Sequence, residues 1–279
     1  MTFMNVTTVI TDMEIDRISL DAAVTVVRRD RGHLDVLCVG IDHTQPGAYY
    51  AGANAMTLQS GLVEAENDAR KCKEAVKKVL DTYEINWAAQ AVSAQLPGLA
   101  QFLAHHTRFA DLVVLTRPYG EGRGHEKEAI VESALFDAGV PVLVVPDHGS
   151  FPSDIDRVVV AWDESYEALT AVRAALPILK TAEVVNITLV DPPAHAPDRS
   201  DPGGALSLML SRHGVHAEVS VLAKTMPRVS DVIARHVKDQ NADLLVMGAY
   251  GHSRIRESIL GGATRNTLQM TEIPVLMAH

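Results

Sequence analysis

The stretch ADLLVMGAY, Ala242–Tyr250, has a near copy in ADLVVLTR, Ala110–Arg117. Each opens on Ala-Asp, runs through consecutive branched apolar residues and stops at a turn-forming or charged residue. A run of that length, apolar at every position, suits a strand buried on both faces. Three further pairs extend the match: TTVITDM (7–13) with RVVVAWD (157–163), DVLCVGID (35–42) with VVNITLVD (184–191), and VPVLVVPD (140–147) with IPVLMAH (273–279). Helical patterns such as Ser165–Lys180 and Met226–Gln240 lie between the runs. Strands alternating with helices imply a parallel sheet covered on its faces, and the internal match implies that the fold occurs twice. The fold class is therefore α/β, as two repeated doubly wound domains with five-stranded parallel sheets.

The run of turn residues in PDHGSFPSDID (146–156) interrupts both periodicities and sets the boundary. The expected domains are 1–148 and 149–279. The halves differ after their second strands. LVEAENDARKCKEAVKKVLDTYEI (62–85) reads as a long amphipathic helix with Leu62, Ala69, Cys72, Val76, Val79 and Tyr83 on its apolar face. Its counterpart, DPPAHAPDRSDPGGA (191–205), is too rich in proline and glycine for a helix and predicts a mobile loop, followed by a short helix over Ala205–Arg212.

Composition narrows the function classes. A net charge of -10 disfavours nucleic-acid and anionic-membrane partners, and 5% aromatic residues leave little surface for base stacking. The charge does not bar a small anion held by local backbone dipoles, which act within about one helical turn. No apolar run approaches the roughly 20 residues that span a bilayer, and the N-terminal residues lack a leader pattern, so a cytoplasmic location is expected. The two cysteines, Cys38 and Cys72, have no metal-type spacing and read as buried free thiols.

Ligands of open parallel sheets sit beyond the carboxyl ends of the strands. There the second half places Gly248 and Gly251, then Gly261 and Gly262. Inside a helix each glycine would cost about 1 kcal/mol relative to alanine. A loop from Gly248 to Gly261, with a helix starting near Gly262–Thr264, turns that cost into two clusters of backbone amides suited to a phosphate chain. Arg254, Arg256, Arg265 and His252 are accessory candidates for phosphate contact, each equally readable as a solvated surface residue.

The spacing of glycine, two residues, glycine, nine residues, glycine resembles that of ATP-binding members of the universal stress protein family. The resemblance covers the chain as a tandem pair and is stronger in the second half. It implies an adenosine contact at Asp163 with Ala161 beside it, an adenine contact at Val190, a pocket wall at Met247, and ribose and phosphate contacts at Gly248 and Gly251. Gly261, Gly262, Ala263 and Thr264 would hold the phosphates. Gly262 stands where the family pattern has serine or threonine, which removes a hydroxyl worth about 0.5–1.5 kcal/mol; Thr264 supplies a second one. Asp163 reads equally as a helix cap, and Val190 and Met247 as core.

Counting back from Pro141 against Pro274 sets Glu128 opposite Gly261, Ala129 opposite Gly262 and Val131 opposite Thr264. A carboxylate facing a phosphate is repulsive, so the first half is expected not to bind ATP in the family manner. No dinucleotide fingerprint, P-loop, nucleophile elbow or metal motif occurs, and no catalytic or metal-ligating residue is assigned. Three functions stay open: a stress-response regulator that binds ATP or a related adenine nucleotide, with Mg²⁺ as its companion ion; a slow ATP hydrolase; or an interaction module without nucleotide. The regulator would act through conformation or an unidentified protein partner. The tandem copies imply an intrachain pseudo-dimer with PVLVV and PVLMA near its interface, and the pattern is compatible with a homodimer.

Overall fold

The structure, a computed structural model, describes residues 2–43, 54–149, 151–192, 201–249 and 262–279. It divides into two compact units, Thr2–Val140 and Pro141–His279. The first contains β1 (Asn5–Ile10), α1 (Met13–Asp30), β2 (His33–Asp42), α2 (Asn54–Leu80), β3 (Asn86–Gln95), α3 (Leu99–Thr107), β4 (Leu112–Thr116) and α4 (His125–Glu132). Its strands lie in the order β3-β2-β1-β4, all parallel. The second contains β5 (Val142–Val145), β6 (Arg157–Ala161), α5 (Tyr166–Leu179), β7 (Val184–Val190), α6 (Gly204–Arg212), β8 (Ala217–Leu222), α7 (Val229–Asp239), β9 (Leu244–Gly248), α8 (Ala263–Met270) and β10 (Val275–Ala278).

In the second unit the order is β5-β10-β9-β6-β7-β8. The strands of its own repeat are parallel, while β5 runs antiparallel to β10 with Leu276 opposite Leu143. The two final strands of the repeats thus pair with each other. The division falls before β5, ahead of the run of turn residues 146–156, because that strand is hydrogen-bonded along β10.

The apolar runs form the expected strands, and the central ones are buried throughout: every residue of β4, β5 and β10 is in the core. The edge strand β8 instead exposes Val219 and Val221. On α2 the buried stripe is Ala65, Ala69, Val76 and Leu80, and Leu62 is exposed. The stripe follows small residues because α2 packs against Gly40 of β2, where any Cβ would overlap the Ala65 carbonyl. Of the predicted loop over 191–205, residues 193–200 lie outside the described residues, and the short helix expected over Ala205–Arg212 is α6, which begins at Gly204.

A polar cluster lies where α7 meets the sheet of the second unit. Thr188 Oγ1 donates to Asn186 Oδ1 at 2.8 Å, and Asn186 Nδ2 donates to Ser220 Oγ at 2.9 Å. Because Asn186 Oδ1 can only accept, His236 Nε2, 3.0 Å away, must carry a proton. Burial holds the His236 pKa below its ordinary value, partly opposed by Asp239. The unfolded chain therefore binds the second ring proton, the one that charges the imidazole at Nδ1, more readily. The stabilising contribution is complete above the ordinary histidine value of about 6.5 and is lost as pH falls through the lower folded value. Urea midpoints of the whole chain should drop between neutral and mildly acidic pH, and His236→Gln should flatten that drop; an unchanged slope would sink the assignment.

Candidate functional site

In the second unit the strand order reverses between β6 and β9, the position where open α/β sheets bind ligands. Ala161, ending β6, is the register partner of Met247 on β9. Val190 ends the next strand, β7. Ala161 and Val190 are half-buried, Met247 is buried and Asp163 is exposed. The structure thus brings these four to one edge of the sheet. Ser165, and not Asp163, caps α5: its hydroxyl accepts from Ala168 N at 3.1 Å. Asp163 closes the preceding turn, its Oδ1 accepting from Ser165 N at 3.0 Å.

α8 begins at Ala263 with Gly262 as N-cap, the start expected from the glycines. Because β9 and β10 are parallel neighbours, the helix joining them has its amino end at the carboxyl end of β9. Gly262 makes no side-chain cap bond and no acidic residue stands in the first turn. Ala263 is exposed and Thr264 is buried, 2% accessible, so Thr264 belongs to the packed side of the helix. Gly251, His252, Arg254, Arg256 and Gly261 lie outside the described residues; Arg265 is exposed on α8.

Gly248 has a packing reason to lack a side chain. A Cβ there would come within 2.6 Å of Ala168 N and 2.9 Å of the Glu167 carbonyl carbon, so the first turn of α5 could not approach β9. The parallel registers, Val6 with Leu112 and Val158 with Leu244, make Thr116 the counterpart of Gly248 in the first unit. Thr116 donates its hydroxyl to Asp16 Oδ1 at 3.1 Å. The other Asp16 oxygen accepts from Thr11 N at 2.8 Å and Asp12 N at 3.1 Å, and Lys127 Nζ lies 2.5 and 2.6 Å from the two oxygens. The switch point that the second unit lines with glycine and alanine is filled in the first by a buried ion pair.

Beside that pair is a cavity of about 450 Å³. Asp12, Asp42, Glu64, Asp68 and Glu126 line it, and the lysine among the described lining residues is Lys127, already held by Asp16. At the amino end of α4 the Glu126 carboxylate folds back to accept from Gly124 N at 3.2 Å. Two carboxylates stand in the first turn of α4, Glu126 and the half-buried Glu128, and the one folded over the helix start is Glu126. Counting from the proline misplaces the helix start because the first half has 17 residues from N-cap Gly124 to Pro141, against 12 from Gly262 to Pro274. The added length is the wide turn Ser133–Asp137, closed by Ala138 N to Ser133 O at 2.9 Å.

Asp16, Thr116 and Lys127 escaped the sequence reading. One signal was present: Asp16 lies on the same α1 stripe as Leu20, Ala23 and Val27, an acid in line with buried apolar residues. Among the described residues no cluster of three or more His, Cys, Asp or Glu could hold a metal, and no helix is long and apolar enough to cross a membrane.

Comparison with known proteins places these features. Residues 154–279 match the model of the universal stress protein family. Universal stress protein Slr1230 of Synechocystis sp. is 40% identical over 73 residues, a match spanning 26% of this chain and 24% of that protein. A universal stress protein from Archaeoglobus fulgidus DSM 4304 superposes with a TM-score of 0.69 at 16% identity, covering 98% of this chain and 95% of its own. A protein of unknown function from Pseudomonas aeruginosa PAO1 gives 0.61 at 12% identity, covering 98% and 92%. These two likenesses carry the fold over nearly the whole chain.

Proposed function

Because residues 154–279 belong to the universal stress protein family, we propose that the second unit binds an adenine nucleotide, ATP by its glycine spacing, and that the chain acts as a stress-response regulator. The observation that carries this reading is the contrast between the two helix starts: α8 opens on Gly262 with no acid in its first turn, whereas α4 opens under Glu126. A helix amino end without a carboxylate favours phosphate, and one covered by a carboxylate repels it.

The residues present fit such a ligand. Ala161, Val190 and Met247 offer an apolar edge to a base, and Asp163 is exposed for a ribose hydroxyl. Gly251 and Gly261–Ala263 would supply backbone donors, with Gly248 keeping α5 close to β9. Bound nucleotide would bring two or three phosphates, whose own oxygens would hold Mg²⁺. The first unit is proposed not to bind ATP, since its cavity is walled by carboxylates.

Calorimetry of the full chain with ATP tests the reading. Binding is expected, weakened on the order of tenfold by Gly251→Glu or Gly261→Glu, as a carboxylate brought near a phosphate costs about 1 kcal/mol or more. No heat at millimolar ATP would leave the interaction module without nucleotide, a reading that the missing hydroxyl at Gly262 and the burial of Thr264 favour. Binding followed by phosphate release would favour the slow hydrolase.

A further inference from the structure

The only two cysteines of the chain, 34 positions apart in sequence, meet in the first unit. Cys38 is fully buried on β2, the register partner of Ile10 on β1. Cys72 on α2 sits over that pair, its Sγ 3.8 Å from the Ile10 carbonyl oxygen, which brings its thiol beside Cys38. Cys72 is half-buried. Its neighbours one and two turns earlier on α2, Asp68 and Ala65, line the first-unit cavity, as do Val39 and Gly40 directly after Cys38.

We propose that Cys38 and Cys72 form a peroxide-oxidisable pair that closes to a disulfide, tying α2 to β2 beneath the cavity. The environment divides the roles. The contact with Cys38 lowers the Cys72 thiol below its ordinary pKa, with Lys127 assisting, against burial and the carboxylates of Asp16 and Asp12. The same contact and burial push Cys38 up. Cys72 is thus the attacking thiolate and Cys38 the resolving thiol. The Cys72 thiolate takes an oxygen from hydrogen peroxide, breaking the O–O bond and leaving a sulfenic acid and hydroxide. Cys38 sulfur then attacks the Cys72 sulfur, the S–S bond forms, and the sulfenic hydroxyl leaves as water with the Cys38 proton, while the hydroxide takes the proton that Cys72 gave up on ionising. Two thiols and one peroxide become one disulfide and two waters.

The test is peroxide treatment of the native full chain, followed by thiol titration in denaturant and mass spectrometry. Both thiols should disappear together, with the loss of two hydrogen atoms, a Cys38–Cys72 cross-linked peptide, and full recovery on dithiothreitol. Cys38→Ala should instead trap the Cys72 sulfenic acid, captured by dimedone. Persistence of both thiols in the native chain overturns the proposal, as does a Cys72 sulfenic or sulfinic acid with Cys38 still reduced in the wild-type chain.

Discussion

Asp16→Ala should destabilise the first unit by about 3–5 kcal/mol, the cost of leaving a buried charge without its partner. Lys127 and Asp16 side chains are only 7% and 2% exposed, so solvent screens neither. Loss of the carboxylate strands the ammonium and also takes the acceptor from Thr11 N, Asp12 N and the Thr116 hydroxyl. Lys127→Met is the milder change, because Asp16 keeps those three donors; about 1–3 kcal/mol is expected. Replacing both, as Asp16→Leu with Lys127→Met, should recover most of the loss, since a buried pair and a well-packed apolar pair of similar volume are often close in stability. The chain has one tryptophan in each unit, Trp87 and Trp162, so urea titration of a Trp162→Phe background reads the first unit alone. A change below about 0.5 kcal/mol for Asp16→Ala, the range of ordinary surface substitutions, would show that the pair does not hold the site shut.

Gly40→Ala should cost about 3 kcal/mol, at the upper end for overpacking. The added methyl would overlap the Ala65 carbonyl oxygen and lie 2.6 Å from its carbon. Those are backbone atoms of a helix whose Ala65, Ala69 and Val76 are buried against the sheet, so no single side chain can swing aside. α2 must move as a body, which opens the contact between its buried stripe and β2. The same Trp87 titration measures the loss, and hydrogen exchange should show faster exchange along α2. An unshifted midpoint with unaltered exchange would mean that α2 is not seated on Gly40 as described.

Much of the fold was legible in the chain. Strands such as ADLLVMGAY and ADLVVLTR announce themselves because a strand buried on both faces needs consecutive apolar residues, a local property. The start of α8 was equally local: glycines that a helix interior penalises marked its amino end at Gly262. Glu128 does stand in the first turn of α4, but its match to Gly261 fails because counting from a proline assumes equal spacing, and the wide turn Ser133–Asp137 breaks it without a composition signal. Gly248 looked like a phosphate glycine, yet its packing against Ala168 depends on how closely α5 docks, a distance that no residue pattern encodes.

The sequence by itself determined the repeat, the parallel strands, and the placement of glycines in the second half where carboxylates stand in the first. Only the tertiary structure decided that Asp16, Thr116 and Lys127 close the first unit's switch point, that β5 lies along β10, and that Cys38 meets Cys72. The reason is separation along the chain. Periodicity reports which face of an element is buried, but a buried charge or thiol is stable only with a particular partner, here 111 residues away for Lys127 and Asp16, and that partner is chosen by packing.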